Sequence, residues 1–298
     1  MIAANINDLT GSEFVAAKVR AYGELLKFRL SFLVAFSCAF GYVLASPATN
    51  WFILAMLFIG GFLLSGASVT INQIIEKDLD RLMNRTMNRP LPTGRITVNE
   101  ATVFAFICFL VAVSMLLIYT NVLTTILSVV SLILYGFVYT PLKRVGPVAV
   151  FVGAIPGALP PLLGWVAATG GISHEALIIF GIQFIWQFPH FWAIAWVSDD
   201  DYKKAGFKLL PSGGKKDLST AVQIMIYTMF LIPLGLLPAT FGITGINSAV
   251  IVTVCGVLFF AQTFSLMREG DRRSALKIMF GSFVYLPVVQ IAYLLDKV

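Results

Sequence analysis

The stretch NQIIEKDLDRLMNRTMNRPLPTG places Asn72, Glu76 and Asp80 at successive intervals of four residues. On a helix that spacing puts one amide and two carboxylates on a single face. Like charges so placed repel by roughly a few tenths of a kcal/mol in water and by more where the dielectric is lower. A bound divalent cation removes the penalty. Oxygen ligands with no neighbouring His or Cys suit a hard ion such as Mg2+, which takes one or two carboxylates while a substrate's phosphates complete its shell. The alternative is a solvated helix end whose acids pair with Lys77, Arg81 and Arg85. The arginines downstream favour the metal. Arg81, Arg85, Arg89 and Arg95 arrive in a segment that turns at Pro90, Pro92 and Gly94. Guanidinium groups match phosphate oxygens two at a time, so acids succeeded by arginines point to a metal–diphosphate site. Arg81 and Arg95 are assigned to ordinary charge distribution at a membrane surface.

A second stretch, WVSDDDYKKAGFKLLPSGGKK, repeats the composition, with three acids, then Lys203, Lys204 and Lys208, then Pro211, Gly213 and Gly214. Adjacent aspartates cannot share a helix face. Asp201, then Asp200, are the expected metal ligands. An acidic helix C-terminus opposes the helix dipole, which favours a functional role over a solvated cap.

The elements that must position these clusters are membrane spans. The chain has 298 residues, 58% hydrophobic and 12% charged, against roughly a quarter charged in soluble domains. Its charge-free runs are long enough for helices of about 20 residues, and they are continuous, not alternating as in a barrel. SPATN at 46–50, YTN at 119–121 and FGITGINS at 241–248 break the longest runs. The expected fold is all-α: one polytopic domain over 1–298, with nine transmembrane helices around a central cavity, near 28–46, 51–73, 101–119, 122–140, 147–168, 176–198, 219–241, 247–267 and 278–296.

With nine spans, all of the 21 Lys and Arg residues except Lys297 fall on the side of the N-terminus. The positive-inside rule makes that side cytoplasmic. The net charge of +6 is therefore mainly topology, and no nucleic-acid partner is expected. Of the 15 acids, all but Glu175 and Asp296 share that side, although the rule makes no demand on them. Residues 1–27 mix Asp8, Glu13 and Glu24 with Lys18, Arg20 and Lys27, which resembles neither a cleaved signal nor an acid-poor transit peptide. Cys38, Cys108 and Cys255 sit inside apolar spans without CxxC spacing and read as small buried hydrophobes.

The pattern N-x-x-x-E-x-D-x-D-R-x-x-x-R-T-x-x-R-P-L-P-x-G resembles the first aspartate-rich motif of the UbiA-type intramembrane aromatic prenyltransferase superfamily. YTPLKR at 139–144, GAIPGALPPLLGW at 153–165 and FIWQFPHFWAIAWVSDDDYKKAGFKLLP at 184–211 resemble its protoheme-farnesylating branch in particular. The likeness runs over essentially the whole chain. It implies transfer of the farnesyl group of farnesyl diphosphate to a vinyl group of heme B, with addition of water. It also implies Mg2+ as cofactor and the bacterial plasma (inner) membrane as location, with a cytoplasmic N-terminus and the C-terminus opposite. A homo-oligomer or oxidase-assembly partners stay open.

Carried over residue by residue, the resemblance makes Asn72, Glu76 and Asp80 the metal-holding face. Arg85 and Arg89 become diphosphate-facing, Lys143 and Arg144 a basic pair near the same site, and Asp201 part of the second acidic motif. Glu76 stands where much of the superfamily has Asp. The sixth span reads QFPHFWAIAW where quinone-making branches carry another Asp. His190 lies in that stretch among Trp186, Phe188, Phe191 and Trp192, and is expected to contact heme, the alternative being a packing residue. His174, beside Glu175, reads as interfacial. Pro156, Pro160 and Pro161 break donors within the fifth span and fit a kinked cavity wall or a packing kink. Two other functions fit parts of the pattern: prenylation of a quinone-precursor aromatic acid, and cation-coupled transport. Against transport, both acid clusters lie at one membrane face, and no internal repeat is evident.

Overall fold

The computed structural model describes residues 11–298, so Asp8 lies outside the described residues. Among them the architecture is helical, with no strand beyond an isolated bridge between Thr244 and Lys297. An amphipathic helix, α1 (Gly11–Leu25), precedes the first span, α2 (Phe28–Ala45). Then come α3 (Trp51–Ile75), a short α4 (Lys77–Asp80), α5 (Val98–Tyr119) and α6 (Val122–Ile133), which runs through a π-helical turn at Leu134–Tyr139 into α7 (Thr140–Leu142). The chain continues with α8 (Val148–Thr169), α9 (His174–Val197), a short α10 (Asp199–Lys204), α11 (Leu218–Thr240), α12 (Ile246–Glu269) and α13 (Arg272–Leu295). Nine of the described segments are long and apolar enough to cross a bilayer, with Val122–Leu142 counted as one.

Polar caps set where these helices begin. Asn50, Asn121, Ser173, Asp217 and Asp271 accept backbone N–H bonds at the starts of α3, α6, α9, α11 and α13. Thr97 and Glu100 form a reciprocal capping box on α5. Three starts consequently precede the apolar runs, α9 among them, which begins at His174 ahead of Glu175. α5 begins at Val98, and α13 begins at Arg272 because Asp271 caps a turn that still carries Arg272, Arg273 and Lys277. Charge-free length counts only the membrane-embedded part of a helix.

The helices close a ring in the order α2, α3, α5, α6, α8, α9, α11, α12, α13 and back to α2. α8 leans inward onto α2 and is the most enclosed span, 72% buried against 28% for α5 and α12. Small residues permit the crossing of α2 and α8: a Cβ on Gly41 would lie 1.9 Å from Pro161 O, and one on Gly164 would lie 1.8 Å from Cys38 O. Pro156, Pro160 and Pro161 all lie inside α8 without ending it. The ring encloses an apolar cavity of about 450 Å³, lined from α2, α3, α6, α8, α9 and α13.

α1 is an element that hydropathy did not separate from the surrounding loop. Ala21 and Leu25 pack with Leu91, Ile96 and Ala101, and Arg95 clasps Glu24 through two hydrogen bonds of 3.0 and 2.7 Å. The arginine-bearing loop at 81–97 is thus fastened to the N-terminal helix.

Candidate active site

α3 ends at Ile75, and Glu76 is its cap, with φ −92° and ψ 7°. The expected unbroken helix through Asp80 is therefore kinked. Its spacing survives, because Glu76 N–H donates to Asn72 O (3.0 Å) and Asp80 N–H donates to Glu76 O (2.7 Å). Asn72, Glu76 and Asp80 are all buried at this end of the bundle.

Each carboxylate has drawn in a base. Lys143 Nζ lies 2.8 Å from Glu76 Oε1 and donates to Oε2 at 3.1 Å. Arg89 Nη1 donates to both oxygens of Asp80, at 2.9 and 2.7 Å. Burial pushes the Lys143 pKa down, but the Glu76 carboxylate and neighbouring groups outweigh it and hold the net direction upward, so the lysine stays charged. Asn72 Nδ2 donates to Thr140 Oγ1, which leaves the Asn72 carbonyl oxygen as an acceptor.

Lys27 belongs to the same cluster and was not singled out in the sequence. It joins α1 to α2 at φ 45°, the one positive φ at a described non-glycine residue. That conformation costs about 1–2 kcal/mol. Burial first, then the charges of Arg89 and Lys143, lower its pKa to about 7 against the pull of Glu76 and Asp80. Basic residues before a first span, here Lys18, Arg20 and Lys27, are what the positive-inside rule already demands, so nothing in the sequence marked Lys27 out.

Other expected residues fall elsewhere. Asp201 does not join Glu76 and Asp80: its oxygens accept the backbone N–H groups of Asn84 (3.2 Å) and Arg85 (3.1 Å), and Lys204 (3.0 Å). It clasps the arginine loop. Asp200 is exposed, and the buried aspartate of that run is Asp199, ion-paired to Lys203 and Lys216. Adjacent aspartates on one helical turn face different ways, and α10 turns Asp199 inward. Of the expected basic pair, Lys143 is buried and Arg144 is exposed. Arg85 lies over the Tyr202 ring at 5.2 Å and donates to its hydroxyl at 3.2 Å. Arg81 bonds Asp78 and Pro92 O, away from the buried acids.

No three Asp, Glu, His or Cys side chains converge among the described residues. The donor set is two carboxylates and an amide oxygen, and the two carboxylates are already balanced by the basic side chains of Lys143 and Arg89. Those donors fit a hard cation that shares its shell with a substrate's phosphates.

Beneath the charges the lining turns aromatic. Lys143 Nζ lies over the Tyr139 ring at 4.8 Å, Tyr139 meets Tyr135 at 5.3 Å and Phe191 at 6.2 Å, and Tyr135 and Phe191 line the cavity. The π-helical turn carries both tyrosines, as such bulges often do at functional positions. His190 also lines the cavity, stacked on Trp186 at 4.3 Å and bonded through Nδ1 to Ser282 Oγ at 2.9 Å. His174 stands at the far end, paired with Glu175.

A model of the UbiA prenyltransferase family matches residues 34–286. A protoheme IX farnesyltransferase of Cytophaga hutchinsonii is 51% identical over 285 residues, covering 95% of this chain and 100% of that relative. Among solved structures, a digeranylgeranylglyceryl phosphate synthase superposes with a TM-score of 0.78 at 21% identity, over 94% of this chain and 98% of that one. A UbiA homolog from Archaeoglobus fulgidus bound to DMAPP and Mg2+ gives 0.65 at 18% identity, over 91% and 98%. The fold is theirs, and with the family match spanning most of its length, this chain belongs to the UbiA prenyltransferase family.

Proposed function

We propose that this enzyme transfers the farnesyl group of farnesyl diphosphate to a vinyl group of heme B, adding water and releasing diphosphate, in the bacterial plasma membrane with its N-terminus cytoplasmic. The observation that carries it is the stack of environments: buried acids and bases at one end of the bundle, aromatic rings beneath them, and an apolar cavity whose lining includes His190. The 51% identity to a protoheme IX farnesyltransferase supports heme as acceptor.

Asn72, Glu76 and Asp80 would hold Mg2+. Bound there, it would neutralise charge growing on the departing diphosphate. The chain's own residues supply the rest. Arg89 and Lys143 leave the carboxylates and close on phosphate oxygens, joined by Arg85, and by Lys27 once the anion's charge draws a proton onto it. Fixed charges aimed at a leaving group stabilise the transition state more than the ground state. Tyr139 and Tyr135 offer ring faces to the allylic cation as it forms. The apolar lining keeps bulk water from it. Trp186, His190 and Phe191 provide the surface against which a flat porphyrin lies.

An acceptor competition tests this. Purified protein receives farnesyl diphosphate and Mg2+ with equal heme B and hydroxybenzoate. A farnesylated heme alone supports the proposal. A prenylated aromatic acid would reassign the acceptor, and accumulation of ions in proteoliposomes without any covalent product would point to transport.

A further inference from the structure

The cavity face of α9 carries Gln183, Gln187 and His190, spaced so that all three point the same way. The fold accounts for Gln183. Pro161 has no N–H to give Gly157 O, and Gln183 Nε2 donates to that carbonyl instead, at 2.8 Å. Gln183 Oε1 accepts from Gln290, which bonds Ser37 in turn.

Gln187 has no such explanation. It is 5% exposed and lines the cavity, yet among the described residues its amide has no hydrogen-bond partner. The amide packs on Gly157, where a Cβ would lie 2.6 Å from Nε2. One turn along, the hydrogen bonds of Ser282 assign His190 a tautomer. Ser282 Oγ donates its single proton to Met279 O at 2.6 Å, so at His190 it accepts from Nδ1–H. Nε2 is left with its lone pair. Trp186 holds this arrangement from both sides, stacked on the imidazole and donating from Nε1 to Ser282 O at 3.1 Å.

An amide with free donors and acceptors and an imidazole acceptor, one turn apart in an apolar cavity, have Cβ atoms about 5–6 Å from each other. Both side chains line the cavity of about 450 Å³, and a buried water there needs two to four polar partners, which these two groups supply. We infer that Gln187 and Nε2 of His190 hold the water that completes the reaction, Gln187 fixing it and His190 taking its proton. This rests on the heme-farnesylating function proposed above.

The electron count closes. The C1–O bond of farnesyl diphosphate breaks with its pair going to diphosphate, and the vinyl π pair forms the new C–C bond. The carbon next to the porphyrin ring, left electron-deficient, takes a lone pair from the water. The surplus proton passes to Nε2. If that water is misplaced, the same cation instead loses a proton from carbon, giving a farnesylated heme lighter by one water.

The test is the ratio of these two products, by mass spectrometry in heavy-oxygen water, for wild type, Gln187→Leu and Gly157→Ala. The alanine displaces the amide without removing it. Wild type should incorporate the heavy oxygen, and both variants should shift the ratio toward the lighter product by about tenfold or more while still farnesylating heme. An unchanged ratio in both variants overturns the assignment. So does joint loss of both products in variants that still bind heme and farnesyl diphosphate, or a His190→Ala change that alters the bound-heme iron spectrum but not the ratio. A wild type that farnesylates no heme defeats the function itself.

Discussion

Lys143 Nζ lies 2.8 Å from Glu76 Oε1, both side chains almost wholly buried, in a site that otherwise gathers the ligands for a cation and an anion. Asp80 is held by Arg89 in the same way, at 2.7 Å, so each acid of this face is paired with a base. On the proposed function, bound metal and diphosphate would separate each acid from its base.

Removing one partner of a buried pair strands the other. Lys143→Met should lower stability by about 3–5 kcal/mol, and Glu76→Gln in the same chain should restore much of it. Thermal melting in detergent without Mg2+ checks the pair. A Lys143→Met protein that melts like wild type would show that Glu76 is not stranded.

Arg89→Ala should cost turnover by about a hundredfold or more, because a preorganised donor to the leaving group is lost. Arg144→Ala, whose side chain is exposed, should leave turnover near wild type. Steady-state rates with farnesyl diphosphate compare them directly, and equal losses would put both arginines in the site.

Asp201 fastens the loop that presents Arg85 and Arg89. Asp201→Asn should raise the KM for farnesyl diphosphate and leave the Mg2+ concentration for half-maximal rate unchanged. A large rise in that Mg2+ concentration would return Asp201 to the metal.

Lys27 has a folded pKa lowered from 10.5 to about 7. Between those values the unfolded chain holds the proton and the folded chain does not, so stability from this group rises with pH across the window. Melting temperature against pH, for wild type minus Lys27→Met, should climb from about pH 7. A flat difference would mean that Lys27 is not buried among the bases.

Gly164→Ala should destabilise by about 1–3 kcal/mol, since its Cβ meets backbone that only a helix shift can move. Unchanged melting would mean that α2 and α8 are free to separate.

The spans were legible because a bilayer demands long apolar helices, and the Asn72–Glu76–Asp80 face because hydrogen bonding keeps its spacing across a kink. Which basic residue goes with which acid was not. Lys143 and Arg144 are equivalent in composition, and only the turn after α7 sends one inward. Asp199, Asp200 and Asp201 differ in facing, which α10 decides. Lys27, Gln187 and Ser282 carry no pattern in the sequence, since each acquires its partners or its isolation from helices distant in the chain.

The decisive measurement tracks product and diphosphate together as heme B and farnesyl diphosphate are turned over at increasing Mg2+, in wild type and Asp80→Asn. Equal amounts of hydroxyethylfarnesyl heme and diphosphate, dependent on Mg2+ and lost in the variant, are expected. Diphosphate released without a heme product, or a heme product still made by Asp80→Asn at the wild-type rate, would contradict it.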